Sequence, residues 1–436
     1  MRSVGSLSGA MASGFPAIRD RAPLTFGMVW LLLFTMVVVG RTHEFISALD
    51  SLRVGLVTGG LAALAWAFDQ ASLREKIPYG ITPVRYVLML FGLAVITIPI
   101  SVWPGNSFDA LTGWYWKLVL LFFLVLYWCR SRQDLNRIMW ACCISLCWFV
   151  VQGVFTGEIE AARFHAKSNS YDSNDLAMLL VMALPLAQYL YSSSRTVPRL
   201  VLIGIVLTFL YGIVLSQSRG GFLALLVVGA LMVWRSTLSA KSKVALGLTA
   251  LLVFGVLAGP AYWERIGTIW NPTTEYDRTA GGRTVLWKTG LVILATHPWG
   301  IGIDGFETAE GLSHEGEGKW SAAHNSFLQI GAELGIAGLV IFALLLIRTI
   351  KDLRRIQAGI DKGSLHLGPR RREHARSSPD PLVPLGAALE ISLWGFVVGG
   401  FFLSQAYNGL LYIVLALSIA CVRLASPDGI SKEPSR

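Results

Sequence analysis

Charge is scarce in this chain. Of 436 residues only 15% are Asp, Glu, Lys or Arg, against 54% hydrophobic. A soluble domain carries about 25% charged residues, so a soluble globular protein is excluded. Cysteine is sparse too: Cys129, Cys142, Cys143, Cys147 and Cys421 all fall in apolar runs or at their ends. None lies in a loop on the outer side assigned below, and no structural disulfide is expected. There is no C-x-x-C pair and no metal-finger spacing. Its glycine-containing turns lack the Lys-Ser/Thr of a P-loop. A compact h-region and cleavage site are missing around Arg2, Arg19 and Arg21, so the first apolar run reads as a retained helix and not as a signal peptide. No internal repeat is visible.

Long apolar runs are what the chain does have. A bilayer-spanning helix needs about 20 mostly apolar residues. Runs near that length occur at 24–40, 52–68, 84–103, 113–129, 138–155, 175–192, 199–216, 220–234, 244–262, 328–347, 383–404 and 409–424. These twelve runs predict an all-α polytopic membrane protein. An even number puts both termini on one side. With the termini in the cytoplasm, 26 of the 37 Lys and Arg lie on the cytoplasmic side and 11 outside, as the positive-inside rule requires. The acids run the other way, 10 cytoplasmic and 16 outside, with Glu390 inside a run. Nine of the cytoplasmic cations sit in 348–382, among them Arg370, Arg371 and Arg372. The net charge of +10 therefore reports membrane topology and lipid contact, and not a nucleic-acid partner.

Most of the polar chemistry collects outside, in the segments 156–174 and 263–327. A transporter tends to carry ionisable or Pro/Gly-broken groups at mid-membrane. Here Glu390 is the clearest such group, and a transporter of lipid-linked sugar would work through it. The turn "SQSRGG" (216–221) interrupts an apolar stretch with Arg219. Gly220 and Gly221 permit close backbone approach. Arg219 offers a planar donor fork suited to phosphate, or snorkels to headgroups. From Val285, "RTVLWKTGLVIL" has the spacing of a helix lying on or dipping into the membrane, with Arg283 in its first turn. A cation there opposes the helix dipole, a penalty that a shared anion would reverse; a solvated arginine is the plainer alternative. "HPWGIGIDGF" (297–306) reads as a Gly-rich turn.

His324 can exchange a proton near neutral pH and suits activation of a hydroxyl. Asn325 suits an N-cap, and both residues equally suit mere anchoring of the run that follows. His297, His314, Glu315 and His324 have no ligand spacing that would make a metal site. In 156–174, Arg163, His165, Lys167, Asn174 and Asp175 are placed to meet a sugar phosphate, with Asn174 or Asp175 alternatively capping the sixth run.

Taken in order, "YDSNDLAMLLVMALPLA", "SQSRGGFLALLV", "GGRTVLWKTGLVILATHPWGIGIDGF" and "HNSFLQIGAELGIAGLVIF" resemble the O-antigen ligase and polymerase superfamily, over roughly residues 160–347. The resemblance implies a GT-C-like helical fold and an inverting, metal-independent glycosyltransferase of the bacterial inner membrane, needing no cofactor. Its donor would be a glycan on undecaprenyl diphosphate at the periplasmic face. The acceptor of a ligase is the lipid A core, that of a polymerase another carrier-linked repeat, and that of a protein O-oligosaccharyltransferase a protein side chain. Position by position, Arg219 and Arg283 match the arginines that hold the diphosphate, and His324 matches the histidine that activates the acceptor. Arg163, Lys167, Asn174 and Asn325 are further candidates for substrate contact. The expected organisation is nine spans in 1–262, a periplasmic loop with short helices in 263–327, three spans in 328–424, and a cytoplasmic tail in 425–436. The order of the three residues and the single dominant late loop favour the ligase.

Overall fold

The computed structural model describes residues 23–46, 49, 51–73, 81–160, 163–165, 171–267, 282–313, 320–363 and 382–425. Each of the twelve apolar runs folds as helix: α1 (Phe26–Gly40), α2 (Val54–Leu73), α3 (Thr82–Ile96), α4 (Pro104–Trp128), α5 (Arg132–Thr156), α6 (Ser173–Ser193), α7 (Thr196–Ser216), α8 (Arg219–Arg235), α9 (Ala240–Gly267), α12 (Ser326–Gly363), α13 (Leu382–Gly400) and α14 (Gly409–Ala425). Two further helices, α10 (Arg283–Thr296) and α11 (Phe306–Ser313), lie between α9 and α12. The helices α4, α5, α6, α7, α12 and α13 are long and apolar enough to cross a membrane, and α1, α2, α3 and α14 are shorter apolar helices. The chain is an all-α polytopic membrane protein, with one small exception. Glu158–Glu160 (β1) pairs antiparallel with Arg163–His165 (β2), Ile159 opposite Phe164. That hairpin follows α5 and was not expected from the sequence.

Polar residues at the ends of the runs stop and start the helices. The side chains of Thr25, Ser131, Asp172, Ser218 and Asn325 accept the free N–H groups of the turns they precede, each such cap contributing about 1 kcal/mol. Asp172, and not Asn174 or Asp175, caps α6. Its carboxylate takes the N–H groups of both residues, while Asp175 reaches back to the Asp172 N–H. The third run ends earlier than its hydropathy suggests, at Ile96, because Pro99 turns Ile98–Ile100 into a single 3-10 turn. Pro104 then opens α4 well before the predicted 113.

The core is built around α6 and α14, which are buried almost throughout. α6 packs against α13, α7, α8 and α5, and α14 against α4 and α13. Gly221 lets α8 approach α6 closely: a Cβ there would stand 2.5 Å from the Ala177 Cβ, the small-residue contact that membrane helices use where no hydrophobic force drives them together. Ser392 Oγ of α13 donates to the Met182 carbonyl of α6 at 2.7 Å. The five cysteines are free thiols, four of them buried.

The helix after His324 is not continuous. At Gly335 the backbone turns to φ 74°, ψ −175°, so α12 is a short half-helix, Ser326 to Leu334, followed by a long one. A break inside a membrane protein strands backbone groups, each costing several kcal/mol unless paired. The Gly-rich turn pairs them. Ile301 N donates to Ala332 O and Gly302 N to Glu333 O, both at 3.0 Å, and Ile336 N donates to Pro298 O at 2.9 Å. The two strands of backbone are so close that a Cβ on Gly335 would lie 2.4 Å from Pro298 O, and one on Gly300 2.4 Å from Glu333 O. The same turn also binds the start of α4: Ser107 Oγ donates to Ile303 O at 2.7 Å and Asn106 Nδ2 to Asp304 O at 2.8 Å. The turn's glycines therefore serve close backbone packing. The other consequence is a polar half-helix end set into an apolar bundle.

Candidate active site

A cavity of about 390 Å³ opens beside that half-helix. Its wall comes from segments far apart in sequence: Arg41 after α1, Trp114 in α4, Tyr171, Asp172 and Asp175 around the start of α6, the loop of Asp304 and Glu307, Ala322 to His324, Gln329 and Glu333 on the half-helix, and Ser404, Gln405 and Tyr407 before α14. Trp114 sits in a π-helical turn, Leu111–Tyr115, interrupting α4, a local widening that re-aims side chains.

His324 lies in this wall. Its backbone is left-handed, φ 47°, uncommon for a residue with a side chain and held here by the neighbours. Asn325 follows it as the N-cap, Oδ1 accepting the Phe327 and Leu328 N–H groups at 2.9 and 3.0 Å. Trp287 of α10 donates its Nε1–H to the His324 carbonyl at 3.3 Å. The pKa of the imidazole is pushed below its ordinary value, first by burial and then by the positive charge of Arg283; Asp172 pulls the other way. His324 is therefore a neutral imidazole at neutral pH, able to accept a proton.

The half-helix is tied to the loop before α14. Ser326 Oγ donates to Leu403 O at 2.6 Å and accepts from Gln405 N at 3.0 Å. Tyr407 donates its hydroxyl to Glu333 Oε2 at 2.7 Å, and its ring meets Trp114 at 5.4 Å between centroids. Burial and then the Glu333 charge raise the Tyr407 pKa well above the ordinary value, which keeps the hydroxyl a donor. Partial desolvation raises the pKa of Asp304 and of Glu307, and for Glu307 the charges of Asp304 and Glu310 add to it. Arg41 stands over the Tyr171 ring at 5.4 Å. Ser404 Oγ is buried, with no hydrogen-bond partner among the described residues.

The sequence-predicted residues are placed unevenly about this cavity. His324 lines it. Arg283 opens α10 and is near enough to His324 to act on its charge. Arg219 opens α8. The next residue, Gly220, faces Phe402, with a Cβ there 3.1 Å from the Phe402 Cβ, and Phe402 stacks with Trp287 of α10 at 6.4 Å. One aromatic patch thus joins the N-terminal ends of α8 and α10, although neither arginine lines the cavity. Asn174 is bound to Asp172, a cavity residue, and the Asn325 side-chain oxygen is used by the cap. Arg163 is in β2 and His165 pairs with Glu158. Lys167, His314, Glu315 and Arg370 to Arg372 lie outside the described residues.

Glu390, in the middle of α13, does not line the cavity. It meets Arg235, the last residue of α8, together with Arg354 and Gln357 of α12. Sequence reasoning also passed over Arg41, Trp114, Asp304, Glu307, Glu333 and Tyr407. Only Glu333 left a trace: an acid two residues ahead of a glycine, where the tenth run is only partly apolar.

Residues 203–343, from α7 into α12, match the family model described as O-Antigen ligase. The matched segment includes Arg219, Arg283 and His324. No curated protein matches the chain.

Proposed function

From the match of residues 203–343 to the family model described as O-Antigen ligase, we propose that this protein is an O-antigen ligase. Ligase- or polymerase-type glycosyl transfer is the activity class of that family. In the proposed reaction a glycan leaves undecaprenyl diphosphate for a hydroxyl of the lipid A core, at the periplasmic face of the inner membrane, with both termini cytoplasmic. The acceptor oxygen attacks the anomeric carbon as the bond from that carbon to the phosphate oxygen breaks. The configuration inverts, His324 takes the hydroxyl proton, and the lipid diphosphate leaves. Arg219 and Arg283, at the starts of α8 and α10, hold the charge growing on it; paired guanidinium donors are suited to that charge, so the reaction needs no metal or other cofactor. Arg163, Lys167, Asn174 and Asn325 are secondary candidates for contact with the substrates.

The observation that carries this reading is the place of His324 in the wall of a cavity, where burial and then Arg283 push its pKa below the ordinary value. Glu390, the residue a transporter would use, is engaged by two arginines and a glutamine.

The test is a reaction in detergent with EDTA present. Purified protein is mixed with an undecaprenyl-diphosphate-linked glycan, with or without rough lipopolysaccharide carrying only core sugars. A shifted core band that disappears in His324→Ala is the expected result. Chain growth with donor alone would make the enzyme a polymerase. Transfer to neither would direct the search to protein acceptors first, and then to transport.

A further inference from the structure

The arginines assigned to the donor and the acids of the cavity wall are separate in place. Arg219 and Arg283 do not line the cavity, whereas Asp172, Asp175, Asp304, Glu307 and Glu333 do, with the tilted rings of Trp114 and Tyr407 in contact beside them. Resting on the ligase reading above, we infer that this cavity is the acceptor subsite and that it admits a sugar end carrying no negative charge, neutral or amino, while rejecting phosphorylated and uronic-acid ends.

Carboxyl groups accept hydrogen bonds from sugar hydroxyls, and an aromatic face covers the apolar face of a pyranose ring. The volume of about 390 Å³ is in the range of roughly 300–1,000 Å³ of small-molecule sites. Ser404, in the cavity wall, has no hydrogen-bond partner for its Oγ among the described residues, and a sugar hydroxyl supplies one as donor or acceptor. The cavity already disfavours negative charge: burial makes Asp304 and Glu307 hold their protons more tightly than usual, and the charges of Asp304 and Glu310 add to this for Glu307. A further anion would meet the same loss of hydration and, beside Glu307, like charge, with Arg41 the one arginine among the described residues of the wall to offset it. The same cost keeps the donor's diphosphate out of the acceptor's place and leaves it to the two arginines. Charge thus sorts the two substrates on either side of His324.

Saturation-transfer NMR tests this on the full chain, in a detergent without sugar headgroups. The probes are methyl glucoside, methyl glucosaminide and methyl glucuronide, on the native protein, on Trp114→Ala and on Asp304→Asn/Glu307→Gln. The glucoside and glucosaminide should bind the native protein, with the glucuronide about tenfold or more weaker. Trp114→Ala should lose the signal, and Asp304→Asn/Glu307→Gln should bring the glucuronide level with the glucoside. Glucuronide binding as well as glucoside on the native protein overturns the inference, as does binding of none, or binding that Trp114→Ala leaves unchanged. Selective binding in a protein that transfers to no acceptor would uphold a charge-selective sugar site in this cavity and sink the ligase reading, so the two fail separately.

Discussion

Two polar clusters lie along α12, one on each side of its break, and they are built on opposite plans. In the cluster holding Arg235 and Arg354, Glu390 is 1% exposed and both its oxygens are occupied. Arg354 Nε donates to Oε1 at 2.7 Å, Arg235 Nη2 to Oε2 at 3.0 Å, and Gln357 Nε2 to Oε2 at 3.1 Å. Arg235 also donates to Gln357 Oε1, closing the group on itself. On the other side of the break at Gly335, the acids line an open cavity, a serine hydroxyl has no partner among the described residues, and the His324 pKa is held below its ordinary value. A buried acid whose every lone pair is used fastens helices together. Acids left facing a cavity are available to a ligand. An ionisable residue in an apolar run is a functional candidate by default, and the completeness of its pairing tells the two cases apart.

The comparison can be broken by substitution. The largest effect is expected at the open cluster: His324→Ala should lower the transfer rate about 10²–10⁴-fold while the protein still elutes as a folded species in detergent. Arg219→Ala and Arg283→Ala should also abolish or strongly reduce transfer, and lysine at either position should rescue poorly because it lacks the fork. Equal rates for the Lys and Arg forms would refute two-pronged diphosphate binding.

Gly335→Ala comes next, and its effect is on folding. Alanine must adopt a φ of 74° and place a Cβ 2.4 Å from Pro298 O, a strain of at least about 1–3 kcal/mol. The expected result is a lower unfolding temperature and lost activity together; normal stability would mean that the break is not required. Glu390→Gln is predicted to destabilise by about 1–3 kcal/mol, at the low end because Arg235 and Arg354 are partly exposed and can turn to headgroups. The rate per folded molecule should stay native, and a selective loss of rate would return Glu390 to the mechanism.

The smallest effect sharpens the comparison. Arg283 holds the His324 pKa down, so the histidine stays neutral, and the rate high, to a pH below the ordinary value of about 6.5. Removing that positive charge in Arg283→Gln raises the pKa. The acid limb of the residual rate should then move upward toward the ordinary value. A limb that stays in place would mean the titrating group is not His324.

How much of this was legible beforehand depends on whether a property is local. The twelve helices were, because an apolar run of sufficient length has no other way to satisfy its backbone in a bilayer. Arg219, Arg283 and His324 stood out as polar residues punctuating such runs. The capping role of Asn325 follows from its position. The choice of Asp172 over Asn174 as the cap of α6 does not, since all three neighbouring polar residues fit the same pattern and only the turn geometry selects one.

The rest of the cavity could not be read from local pattern. Arg41, Trp114, Asp304 and Tyr407 come from four loops or helix ends that mean nothing until the helices pack. Glu333 and Glu390 look alike along the chain, each an acid among apolar residues. One received two arginines from α8 and α12, and the other a tyrosine and an open cavity.

Composition and run length alone thus determined that the chain is a helical membrane protein, with polar chemistry gathered at the ends of its spans. Tertiary structure decided that α12 breaks at Gly335, which runs join at the cavity, and which charges are neutralised. The physical reason is range. Backbone satisfaction in lipid is a property of each segment by itself, whereas a carboxylate's partner is set by whichever helix packs against it.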